Sequence, residues 1–141
     1  PVMLLLLLPI ARADYVAPLP HVMVTEATSV ADVTVTRLDD DQHAQITVNR
    51  LLRGEEPPAE ITGVWLTCGG GPPGMYGIEG DTRYIVILHE DLLYEESSYF
   101  EVRGDQCHAW GPDEHTGKTW QPCSEVLAWI QPDAPQESLA Y

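Results

Sequence analysis

Basic residues are scarce: lysine and arginine number 7 against 22 aspartates and glutamates, a formal net charge of −15 at pH 7. A surface this acidic repels phosphates, which excludes nucleic acid as a partner. It repels anionic membrane surfaces equally. The acids are scattered, and the run Asp39, Asp40, Asp41 reads as a solvated turn. The charge is therefore read as serving solubility ahead of any specific cationic partner. Long apolar runs are missing too. Residues 2–11 form an apolar stretch about half the ~20 residues a membrane-spanning helix needs, and Pro9 would disturb such a helix. Nucleophile and phosphate motifs are absent. None of the serines at 29, 97, 98, 124 and 138 lies in a Gly-x-Ser-x-Gly elbow. The glycine-rich stretch 69–80 lacks the Gly-Lys-Ser/Thr ending of a phosphate cradle. Phenylalanine occurs once, so the core must draw on the 4 tryptophans and 6 tyrosines. Trp65 and Trp129 are assigned to it. Tyr76, Trp110 and Trp120 are kept as candidates for a binding surface.

What is present begins with five leucines, Leu4 to Leu8, followed by Pro9, Ile10 and the small-x-small triplet Ala11, Arg12, Ala13. An apolar core before such a triplet is the tail of a secretory signal peptide. Cleavage after Ala13 would start the mature chain at Asp14. Residues 1–13 are then signal remnant and residues 14–141 one domain, secreted or periplasmic, with no stable membrane anchor after cleavage. Proline stands at residue 1 and no basic segment precedes the leucines. The sequence is accordingly read as truncated upstream, or as starting at Met3 with a short signal. Loss of Arg12 makes the mature chain one unit more acidic.

Export makes one disulfide the expectation for the three cysteines, Cys68, Cys107 and Cys123. Three pairings are possible. The one expected is Cys68–Cys107, because both residues follow core strands. Closing that interval would stabilise by about 4 kcal/mol in the chain-entropy picture. Cys123 is then left at the start of a helix as a small buried apolar residue.

Along the domain, residues 14–20 form an extended lead-in. Residues 21–31 read as either a short helix or an irregular strand. Residues 32–38 alternate, with Val33 and Val35 on one face and Thr34 and Thr36 on the other. Residues 44–52 alternate through Ile46 and Val48, and the acidic turn between the two runs makes a hairpin. Residues 60–67 are a third strand with a bend at Gly63, and residues 69–80 are loop. Residues 82–88 are a continuous apolar run of the kind found in a sheet centre. Residues 92–94 and 99–103 are the last strands. In the tail, Val126, Leu127 and Ile130 have helical spacing, with Pro122 in the first turn and Pro132 as the stop. The fold class is mainly β: a small OB-like antiparallel barrel with one C-terminal helix.

This order carries a resemblance. The residues are Ala31, Asp32, Val33 and Val35; Val48 with Arg53-Gly54; Cys68-Gly69; and Gly80, Tyr84, Val86 and Leu88. Over residues 30–107 the chain resembles small exported bacterial domains with an OB-like barrel. These are similar to the inhibitory domain of tissue inhibitors of metalloproteinases and to netrin-type modules. The resemblance implies architecture. It does not carry the inhibitory mechanism, which needs an amino-terminal Cys-x-Cys, whereas no cysteine here precedes Cys68.

Two functional readings follow. The preferred one is a non-catalytic binding module for a protein or small ligand outside the cytoplasm, using the loops at 69–80 and 104–120 and needing no cofactor. The alternative is a metal-binding protein or cysteine-dependent hydrolase centred on Cys68, Cys107 and His108. Cys107, His108, Asp113 and His115 lie within nine residues of one another, but their spacing matches no standard zinc motif. The glycines after Cys68 could supply oxyanion amides. A disulfide at Cys107 would defeat both roles for that residue. His21 and His43 read as exposed, and residues 89–91 as a polar turn.

Overall fold

A computed structural model describes residues 24–64, 74–75, 77–93, 98–109 and 119–131. Among the described residues, eight strands build one curled sheet. They are β1 (Ser29–Leu38), β2 (His43–Gly54), β3 (Glu60–Gly63), β4 (Thr82–Leu88), β5 (Leu92–Leu93), β6 (Tyr99–Arg103), β7 (Gln106–Ala109) and β8 (Thr119–Pro122). One helix, α1 (Cys123–Ile130), follows β8 directly. The strand order is β5-β3-β2-β1-β4-β6-β7-β8. The pairings are antiparallel except β3 with β5. At the β4–β5 turn, His89 and Leu92 exchange backbone hydrogen bonds of 3.0 and 2.9 Å. β5 thus touches both the end of β4 and the flank of β3, and the first five strands curl into a partly open barrel of the OB type. The mainly β barrel with a C-terminal helix is the architecture that the alternation implied.

The apolar run in β4 is buried on both faces. Tyr84, Val86 and Leu88 enter the barrel core with Ala31, Val33, Val35, Ala44, Ile46 and Ile61. Ile85 and Ile87 enter a second core under α1, with Val30, Leu52, Val126, Leu127 and Ile130. Burial on both faces favours an apolar residue at each position, hence the unbroken run from Tyr84 to Leu88. The end of the glycine-rich loop plugs the barrel: Met75 and Ile78 are buried there, and Glu79 N–H donates to Tyr84 Oη at 2.9 Å.

Bulges decide which side chains face where on β2. Val33 opposes Val48 and Asp32 opposes Arg50, so Asn49 is an extra residue; Leu52 is a second extra residue between Leu51 and Arg53. A bulge re-aims the side chains beside it. Here the bulges deliver Leu52 to the core under α1 and Asn49 to Asp32. Simple alternation could not have placed either.

Two expectations from the sequence are corrected. Residues 106–109 and 119–120, expected within the 104–120 loop, belong to β7 and β8, and Pro122, expected in the first helical turn, ends β8 instead. β7 is only four residues long, and Cys107 and His108 are buried on opposite faces, so no polar alternation marks it. β8 ends in Pro122, which a terminal strand tolerates. The disulfide expectation is corrected: Cys107 bonds Cys123, with Cα atoms 5.0 Å apart. β7 and the start of α1 are adjacent, and Cys123 N–H donates to the Asp105 carbonyl at 2.7 Å, which brings the two thiols together. Cys68 lies outside the described residues. The choice left open at 21–31 resolves, over the described residues, into a helical turn at 24–26 leading into β1 from Ser29.

The bridge closes a separation of 16 residues. Cys107→Ser with Cys123→Ser is expected to lower unfolding free energy by about 3 kcal/mol. Urea unfolding with and without a thiol reductant checks this. Reductant should destabilise the parent and leave the double variant unchanged.

The acidic turn is a structural hub with a pH signature. Asp40 Oδ1 accepts from the N–H of Gln42 and of His43, each at 2.8 Å, and meets His43 Nδ1 at 2.9 Å. The Asp41 carbonyl accepts from Met75 N–H at 2.6 Å and that of Gln42 from Gly63 N–H at 2.7 Å. The Asp40 hydrogen bond raises the His43 pKa above its usual 6.5. The Gln42 and His43 donors lower that of Asp40 below 3.8. A raised histidine pKa stabilises fully below 6.5, and that stability is lost as pH rises through the folded value. A lowered carboxylate pKa stabilises above 3.8 and is lost as pH falls through its folded value. The turn therefore contributes most between these two pH values. The urea midpoint of the parent, minus that of His43→Gln, should shrink as pH is raised from 6 to 9. A difference flat across that range would refute the link.

Candidate functional site

Of the residues singled out from sequence, Cys107, His108 and Trp120 are described. Cys68, Tyr76, Trp110, Asp113 and His115 lie outside the described residues, as do residues 1–13, His21, Trp65 and the side chain of Trp129. His108 and Trp120 come together. They are register partners on β7 and β8, and Glu101 of β6 opposes His108. Glu101 in turn opposes Tyr84, so this face continues that of the barrel-core tyrosines. Tyr84 and Tyr99 pack edge to face there, with centroids 5.6 Å apart. Burial raises the Tyr84 phenol pKa above its usual 10.0.

His108 is fully buried. Its imidazole stacks on the Trp120 indole, with centroids 4.9 Å apart and planes 26° apart. Trp120 keeps 38% of its surface exposed. Arg103, two residues after Glu101 on β6, sets its guanidinium 5.0 Å from the centre of the Trp120 ring. Its Nε–H donates to Glu101 Oε2 at 2.5 Å. The result is an indole backed by a buried imidazole and met by a guanidinium that is also held by a carboxylate.

The strand pleat separates neighbours that the sequence had grouped. Cys107 faces the core under α1, and its sulfur is committed to Cys123. His108 faces the opposite side. Cys107 therefore offers neither a metal ligand nor a nucleophile, and it does not join His108 in one site. Among the described residues, no three His, Cys, Asp or Glu side chains are grouped to hold a metal.

A second polar cluster joins β1, β2 and β4. Asp32 is fully buried on the outer face of β1. Its Oδ1 accepts from Arg83 Nε at 2.9 Å and from Asn49 Nδ2 at 3.2 Å, and its Oδ2 accepts from Arg83 Nη2 at 2.5 Å. Asn49 also donates to Thr34 Oγ1 at 2.9 Å. This arrangement fixes three strands to one another; a buried carboxylate held by a two-point arginine is a structural clasp. The signal that could have found it is an aspartate inside the apolar run of β1.

No known protein family, curated protein or solved structure matches the chain.

Proposed function

We propose that this chain is an exported, non-catalytic binding module that acts outside the cytoplasm and meets its partner on the β6–β8 face around Trp120. The observation that carries the reading is the Trp120 ring. A large aromatic surface, partly exposed and held rigid by a buried histidine beneath it, has the character of an interface anchor. The apolar leader and the disulfide support the location. The likeness to netrin-type modules enters as architecture alone, since the cysteine-led amino terminus of the inhibitors has no counterpart here.

Retention of proteins from the extracytoplasmic fraction of producing cells tests the placement. Trp120→Ala should reduce retention on the immobilised protein about tenfold or more, with the circular dichroism spectrum preserved. Equal retention by parent and variant would refute the surface. Amino-terminal sequencing of the exported chain should begin at Asp14, and a chain retained in the cytoplasm would refute the location.

A further inference from the structure

We propose that Arg103 occupies, within its own chain, the seat of a partner's cationic side chain. The inference rests on the Trp120 surface of the proposed function and names the chemistry it selects. The seat has two walls. One is the Trp120 indole, whose face attracts a cation through its quadrupole. The other is the Glu101 carboxylate, which supplies the opposite charge and an acceptor. His108 stacks on the indole and fixes its plane before any ligand arrives.

The resident guanidinium is loosely committed. The Arg103 side chain is 72% exposed, whereas Glu101 beneath it is 15% exposed. A salt bridge this open is held weakly in water. An incoming arginine or lysine can therefore displace Arg103 and inherit both walls, while Arg103 turns out to solvent. The charge of the whole chain, which by itself serves solubility, favours the same class of partner once a cation seat is present. With 22 acids against 7 bases, it draws in a basic segment and repels a second copy of itself. The occupant is thus an extended basic stretch of another protein.

The full mature chain, labelled with nitrogen-15, tests this. The probes are end-capped octaarginine and, as control, end-capped octaglutamate. Trp120→Phe assigns the Trp120 indole N–H resonance. Octaarginine should shift that resonance saturably, and added salt should weaken the effect. Arg103→Ala removes the resident competitor, so affinity should rise roughly fivefold if the seat is filled about four-fifths of the time. Glu101→Gln should weaken binding. Trp120→Phe keeps an aromatic filler should Trp120→Ala misfold, and it should bind more weakly than the parent.

Weaker binding in Arg103→Ala would overturn the proposal. So would undiminished binding in Trp120→Phe and Trp120→Ala alike, which would mean only diffuse attraction to an acidic chain. An equal response to octaglutamate would also overturn it. Retention of extracytoplasmic proteins lost in Trp120→Ala, with no octaarginine response, would refute the cation seat and keep the partner surface. An octaarginine response with retention unchanged would support the seat and refute that surface.

Discussion

Gly54→Ala is expected to be among the most damaging single substitutions in this domain, at about 4 kcal/mol. Two costs coincide at the end of β2. Gly54 has φ of +79°, in the left-handed region, where a residue with a Cβ pays about 1–2 kcal/mol. A Cβ there would also lie inside the contact distance of the Thr28 carbonyl oxygen. That oxygen is backbone and is already engaged by Glu55 N–H at 2.9 Å, so it has little room to retreat. Relief requires β1 and β2 to separate where Ser29 opposes Gly54. Two other glycines separate the contributions. Gly104 has φ of +60° with open space around it, so Gly104→Ala should show the backbone cost alone, about 1 kcal/mol. Gly80 has open space and no such φ, and Gly80→Ala should stay within about 0.5 kcal/mol of the parent. Urea unfolding of all three, at unchanged m-value, gives the comparison. A Gly54→Ala effect no larger than that of Gly104→Ala would show that β1 and β2 part at little cost.

These glycines also mark how far the sequence could be read. Gly54 closes the second alternating run, and its place at a strand end was legible; the carbonyl beside it was not. The same boundary recurs elsewhere. Val33, Val35, Ile46 and the run of β4 announced their strands, because burial on one or both faces writes itself as period two or as continuity. Asn49 and Leu52 did not announce their bulges, since a one-residue offset is set by the neighbouring strand. Cys123 looked like a spare thiol because helix and strand signals carry no distance between elements, whereas the adjacency of β7 and α1 joins it to Cys107. At the candidate site, His108 and Trp120 were each picked out by residue type, and one face was found to hold both. Glu101 and Arg103 were invisible as site members. They stand within the strand expected at 99–103, and only the pairing of β6 with β7 sets them beside His108 and Trp120.

Arg83→Met should cost more than Asp32→Asn, although the two residues form one ion pair. Asp32 is fully buried, while the Arg83 side chain is 41% exposed. Removing the arginine takes the charged donor from a buried carboxylate that cannot reach water, leaving the neutral Asn49 amide on it. Removing the carboxylate lets the arginine head swing into solvent on its long stem. Loss of one partner from a fully buried pair costs about 3–5 kcal/mol. The exposure of Arg83 places Arg83→Met near the lower bound, at about 3 kcal/mol. Asp32→Asn keeps an acceptor for Asn49 and should cost about 1–2 kcal/mol, the scale of a weakened hydrogen bond to a charged group. The double variant Asp32→Leu/Arg83→Met tests the logic further. Replacing both charges by apolar groups removes the desolvation penalty together with the attraction, so it should be closer to the parent than Arg83→Met is. Asn49 then loses its Asp32 acceptor but keeps Thr34 Oγ1 at 2.9 Å, which limits the residual cost. A double-mutant cycle by urea unfolding, with Asp32→Leu and Arg83→Met as its single variants, measures the coupling. If the two single substitutions add without coupling, the pair is not the clasp between β1 and β4. If the double variant is the least stable of the set, the barrel needs the charge itself at this position, and burial of a paired carboxylate is then what holds Ala31 and Val33 to their side of the sheet.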